Sequence, residues 1–308
     1  MTRPVSVLPI LAIIAASVLF GTTGTAKALA PASASALSIG MVRIALGGVL
    51  LGLIAGWYAR RRGAVSHLEP VEWGIVLVGA AGVFGYQPAF FLGTQSNGVA
   101  LGTVVALGSA PLMTGILTWI RTRRIPGMPW WLATGFAIGG VVLLSGVLDA
   151  AGAGMVSVAG LLGSLGAAFC YAVYTVAAKS LMDRGWGSLT AMGALFGVAG
   201  LAAIPVAAST PLTWLSEGRG ISAALWLGVA TIVLAYVFFG WGLKSLTAPV
   251  VATVTLIEPV TATLLGILLL HEQLLTSHIL GMALLGAGIL VLTIASGRAQ
   301  PVHRDNIA

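Results

Sequence analysis

Two charged side chains stand where hydrocarbon would reject them. Arg43 falls about nine residues into the apolar stretch 34–57, and Glu258 about ten residues into the stretch 248–270. A charge near the middle of a membrane-spanning helix costs roughly 2.5–3.5 kcal/mol or more, so each must face a bundle interior and find a partner or water there. One arrangement is structural: an ion pair between Arg43 and Glu258, or a hydrogen-bonded kink beside Pro259. The other is functional: the pair forms a binding site for a polar solute, or Glu258 carries protons and couples solute movement to a proton gradient.

Polar and aromatic groups at similar depth form a second layer. Tyr86-Gln87-Pro88 lies late in 71–91, where Pro88 lacks an N–H and leaves a carbonyl to be satisfied elsewhere, so an interruption of that span is expected. Tyr171 and Tyr174 are three apart on one helical face, as are Tyr236 and Phe239. Tyr86, Gln87, Tyr171 and Tyr174, with Arg43 and Glu258, are the candidate substrate-binding residues. The rings would cup an apolar group, and the amide and hydroxyls would hold a polar end. The competing reading is that each tyrosine simply hydrogen-bonds a neighbouring helix. Lys27 and Lys179 end the first and sixth spans at an offset of 152, where snorkelling to the interface competes with a gating role.

Other chemistry finds no support. His271-Glu272 would need a second histidine at position 275 to bind zinc as a protease helix does, and that residue is Leu275. Cys170 is the only cysteine, which excludes a disulfide, a cysteine-based zinc site and an iron–sulfur cluster within one chain. The sequence contains no nucleophile elbow, Walker loop or dinucleotide fingerprint. No enzyme activity, metal or cofactor is expected. The net charge of +7 and a pI near 10.2 are compatible with nucleic acid, but the basic residues sit in short clusters between apolar spans, so no nucleic-acid partner is expected.

The elements that must hold these residues are membrane helices. Of the 308 residues 58% are apolar and 7% charged, with a mean hydropathy of +1.04, whereas a soluble domain carries about 25% charged residues. Ten stretches are long enough to cross a bilayer core: 7–26, 34–57, 71–91, 98–120, 129–148, 156–181, 187–209, 222–243, 248–270 and 276–295. Trp57, Trp73, Trp130, Trp131 and Trp186 at span ends read as interfacial anchors. Glycines spaced by four, as in Gly48, Gly52 and Gly56 or Gly193 and Gly197, read as close helix packing within the chain, and a monomer or weak dimer is expected. The opening segment, with Arg3 and an apolar run from Val5 to Leu19, imitates a secretory signal and is expected to remain as the first span.

The pattern of 90–146 returns at 238–294 without gaps, at an offset of 148. Phe90-Phe91 aligns with Phe238-Phe239, Pro111 with Pro259 and Gly140 with Gly288. Arg121-Thr122-Arg123-Arg124 follows the first proline-containing span, whereas Leu269-Leu270-His271-Glu272 follows the second. Basic residues stay on the cytoplasmic side of short loops, so the two copies end on opposite sides. That is an inverted repeat, the usual build of secondary transporters. The expected domains are 1–152 and 153–308. Arg3, Arg60, Arg61, Arg62, Arg121, Arg123, Arg124, Arg184, Lys244, Arg298 and Arg304 fall on one side, against Arg219, Asp149, Glu217 and Glu272 on the other, which puts both termini in the cytoplasm.

The stretch Leu256-Ile257-Glu258-Pro259-Val260-Thr261-Ala262, with Leu270-His271-Glu272-Gln273-Leu274, Leu280-Gly281 and Gly286-Ala287-Gly288, resembles the second repeat of EamA-type members of the drug/metabolite transporter superfamily. Leu19-Phe20-Gly21-Thr22-Thr23-Gly24-Thr25-Ala26-Lys27, with Met41-Val42-Arg43, resembles the first. Phe20 stands where members often carry Trp, and Ser109-Ala110-Pro111 lacks the acid found at Glu258. The resemblance implies an all-α integral membrane protein of ten helices, in two inverted five-helix repeats around a central cavity. It also implies export of amino acids or similar amphipathic metabolites from the bacterial cytoplasm across the inner membrane, aromatic amino acids among them. The alternatives are a carrier of drugs or nucleotide-type metabolites, a membrane enzyme without a recognised motif, and a non-transporting sensor or scaffold. The short tails offer little for a scaffold to use.

Overall fold

The computed structural model describes residues 7–61, 69–145, 156–271 and 275–298. Arg3, Arg62, Asp149, Glu272 and Arg304 lie outside the described residues, as does the expected domain boundary at 152. The described residues form ten apolar helical spans: α1 (Leu8–Ala28), α2 (Ala36–Arg61), α3 (Pro70–Asn97), α4 (Val99–Thr122), α5 (Met128–Leu144), α6 (Val158–Asp183), α7 (Ser188–Ala208), α8 (Gly218–Ser245), α9 (Ala248–Leu270) and α10 (Thr276–Arg298). Nine are at least 20 residues long among the described residues, and α5 has 17. At about 1.5 Å per residue the long ones cover a hydrocarbon core of about 30 Å. This is an all-helical, multi-pass membrane protein.

Helix pairing carries the repeat into three dimensions. The pairs α2–α7 and α5–α10 map onto themselves when each helix is exchanged for the one five places on. Under the same exchange α3–α6 becomes α8–α1, and α4–α6 becomes α9–α1; all of these pairs are packed. Because each repeat holds an odd number of antiparallel helices, the second starts in the direction opposite to the first, which is the inverted arrangement. Glycine permits both self-paired contacts. A Cβ on Gly52 would stand 2.9 Å from the Cα of Gly197, and one on Gly281 would stand 2.8 Å from the Gly140 carbonyl oxygen. Backbones this close gain van der Waals contact where lipid gives no hydrophobic advantage to burial. The glycine spacing in α2 and α7 therefore serves packing within the chain, as expected.

Two local expectations are overturned. Pro88 does not interrupt its span, because α3 runs unbroken from Pro70 to Asn97. Membrane helices absorb a proline when neighbours re-satisfy the freed carbonyl. Trp130 is not an interfacial anchor: it is 4% exposed and lies edge-on to Trp131 beneath Gly115, whose missing side chain leaves it room. Trp57, Trp73 and Trp131 are about half exposed, as anchors should be.

Irregular backbone appears in the second repeat. Thr255–Ile257 forms a 3₁₀ turn inside α9, directly before Glu258 and Pro259, which restart the α-helix. Residues Trp226–Leu234 of α8 wind as a π-helix. Wide turns of this kind recur at functional sites because they displace side chains and expose carbonyls.

Candidate functional site

Arg43 projects from the middle of α2 toward that wide turn. Its Nη2 donates to the Thr231 carbonyl oxygen at 3.4 Å, while its Nε is buried with no hydrogen-bond partner. Glu258 opens the resumed helix in α9 and forms no ion pair among the described residues. The two charges nonetheless lie within electrostatic reach of each other, and both act on Tyr86 and Tyr236. Direct pairing is thus absent in this conformation, although the structure brings the predicted partners to one region. Arg43, Tyr86 and Glu258 are each partly buried.

Beside these side chains lies an aromatic cluster. The Tyr174 and Tyr236 hydroxyls share a hydrogen bond at 3.1 Å, and Tyr171 donates to Thr255 Oγ1 at 3.2 Å, tying α6 to α8 and to the 3₁₀ turn of α9. Tyr171 and Tyr174 meet edge-on with ring centroids 5.1 Å apart. Both are buried, so each hydroxyl does bond a neighbouring helix while the rings back the charged region. Gln87, next to Tyr86 in sequence, turns away and lies across Gly40 of α2, since consecutive helical positions diverge by about 100°. Tyr86 stacks on Phe90 at 5.9 Å.

Sequence reasoning missed Phe20 and Phe196. Phe196 lies 3.9 Å from the Tyr236 ring, and Phe20 lies 5.0 Å from it. Inside apolar spans a phenylalanine carries no local signature. The usable signal was Phe20 standing at a position of marked departure from the family pattern. Thr231 and Thr255 were missed as well; Thr231 is an isolated polar residue in an apolar run, and Thr255 stands between Thr253 and Glu258.

The end of the bundle where α1 begins is held by charges. Asp183 at the close of α6 accepts from Arg121 of α4 at 2.7 Å and pairs with Lys179 at 3.5 Å. Lys179 Nζ also donates to the Leu243 and Lys244 carbonyl oxygens at 3.1 and 2.9 Å, capping the end of α8. At the other end Lys27 rests 5.7 Å from the Phe91 ring, and the repeat places Leu269 opposite Arg121. The link there is neutral: Asn97 bonds the Ser157 backbone N–H at 2.7 Å and its carbonyl at 3.0 Å. Among the described residues no group of three His, Cys, Asp or Glu side chains could hold a metal.

A family model, the EamA-like transporter family, matches residues 7–146 and 158–294. The chain is 35% identical over 296 residues to an uncharacterized transporter of Bacillus subtilis (strain 168), YwfM, with 96% of this chain and 97% of that protein covered. A solved protein crystal structure at 21% identity superposes with a TM-score of 0.78, covering 95% of this chain and 99% of the other. That last likeness concerns the fold.

Proposed function

The chain belongs to the EamA-like transporter family, and from that premise we propose that it exports amino acids or similar small amphipathic metabolites across the cytoplasmic membrane by alternating access. One observation carries the substrate class. Arg43 and Glu258 are opposite charges within electrostatic reach of each other that form no ion pair, and Arg43 keeps a buried donor unused. A zwitterion satisfies both, its carboxylate at Arg43 and its ammonium at Glu258, with Tyr86, Tyr171 and Tyr174 bounding its side chain, while Gln87, turned onto Gly40, takes no part. Since α2 belongs to the first proposed repeat (1–152) and α9 to the second (153–308), the solute is held between the halves that move. Proton exchange at Glu258 is the proposed coupling step. The basic clusters support cytoplasmic termini.

The test is counterflow of radiolabelled amino acids in proteoliposomes, with and without a pH gradient. Exchange of large apolar amino acids, lost on Arg43→Gln, is the expected result. Exchange of nucleotides or cationic drugs without amino acids would move the substrate to the other class, and no exchange of any solute would defeat the transport reading.

A further inference from the structure

We propose that the peripheral groove between α1, α8 and α9 binds an anionic phospholipid, its acid headgroup at Arg219 and Thr25 and its acyl chain along Trp226, Leu265 and Leu269. The inference stands on the groove's own geometry and does not depend on the identity of the carried solute.

The groove has a volume of about 680 Å³ and lies where α1 ends and α8 begins. The inverted repeat supplies a comparison within the molecule. A groove of about 370 Å³ at the opposite end, between α3, α4 and α6, is lined at equivalent positions. Val71, Gly74, Ile75 and Val78 match Arg219, Ser222, Ala223 and Trp226 at the offset of 148, and Leu117 matches Leu265. Val173, Val176, Ala177 and Ser180 match Thr22, Thr25, Ala26 and Leu29 at an offset of 151. This places Lys27 and Lys179, aligned at 152, one position out of register. The two grooves thus differ in chemistry at matched positions: Arg219 stands where the other has Val71, Thr25 where it has Val176 and Trp226 where it has Val78.

Those replacements make a headgroup site. Arg219 forms no ion pair with Glu217 or with any other described residue. Thr25 is 7% exposed, lines the groove, and its hydroxyl bonds to no described residue, so a donor is left unused there. The first turn of α8 adds N–H groups unused within the helix at Gly218, Arg219 and Gly220, and its dipole favours an anion. Below them Trp226 donates to Thr22 Oγ1 at 2.9 Å, which fixes its ring beside the exposed faces of Leu265 and Leu269. A cation above an apolar channel at the membrane interface complements an acidic headgroup carrying an acyl chain, and an arginine near such a surface favours acidic lipid over neutral lipid.

Native mass spectrometry of the full chain, titrated with phosphatidylglycerol or phosphatidylcholine, tests the proposal. Wild type should retain phosphatidylglycerol preferentially. Arg219→Gln should weaken that retention about five- to tenfold, Thr25→Val should weaken it by less, and Arg219→Lys should preserve most of it. Phosphatidylcholine binding should stay the same throughout, and unchanged melting temperatures in that lipid separate loss of the site from loss of the fold. Equal retention of the two lipids by wild type, or unaltered phosphatidylglycerol retention in both Arg219→Gln and Thr25→Val, overturns the proposal. Displacement of the bound lipid by millimolar free amino acids would make the groove a solute site and also overturn it.

Discussion

A guanidinium in hydrocarbon is stable only when its donors are answered, and Arg43 has one answer from a backbone carbonyl while its buried Nε has none. The Thr231 carbonyl fills the role that a carboxylate was expected to fill, so Glu258 is free to meet something else. Removing either charge should therefore disable transport, and the two losses should not add. If a solute bridges them, Arg43→Gln and Glu258→Gln each reduce uptake into inside-out vesicles by an order of magnitude or more, and the double change is little worse than the single ones. A coupling energy of about 0.5–3 kcal/mol in the cycle is the expected size; strict additivity of the two effects excludes a shared ligand. The residue types were legible because lipid makes a charge conspicuous. Their actual partners were not, since a carbonyl offered by a π-helical turn leaves no mark in the letters around it.

At the scale of elements, the charged tie at the end where α1 begins links α4, α6 and α8, and among the described residues the other end has no equal. Exposed pairs are each worth about 0.2–1 kcal/mol, so the tie biases an equilibrium without freezing it. Asp183→Asn should raise amide hydrogen exchange in the last turns of α4 and α8 by up to about fivefold. Combining Arg121→Asp with Asp183→Arg should restore protection; exchange that stays fast in the swapped pair would show that the contact is incidental. Hydropathy made the ten spans legible to within a few residues, because a bilayer demands about 20 apolar residues per crossing. It did not show that α3 would run through Pro88 or that Trp130 would sit under Gly115. Both outcomes depend on what a neighbouring helix presents, which a one-dimensional reading does not contain. Nor did it reveal Phe20 and Phe196 converging on Tyr236 from different helices.

For the molecule as a whole, orientation is the property most open to direct measurement. Cys170 lies at the α3–α6 contact, its Sγ 3.1 Å from where a Cβ on Gly85 would be, so Cys170→Ala removes the single native thiol at the cost of a small void. In that background a cysteine at Thr122 should resist an impermeant thiol reagent in intact cells, and one at Ser216 should react. The reverse labelling pattern would turn the protein over in the membrane. The loops add a mechanical feature. A single residue, Gly98, with φ 81°, separates α3 from α4, and only Leu246 and Thr247 separate α8 from α9. Each pair is pinned at one end and splayed at the other, where its groove lies, and the two pairs point in opposite directions. Their splay is unequal, 680 Å³ against 370 Å³. The larger groove leaves more room for acyl chains beside the protein in one leaflet than the smaller groove leaves in the other. If the proposed alternating access exchanges the wide and narrow ends, that room moves from one leaflet to the other, and turnover then depends on leaflet tension and curvature.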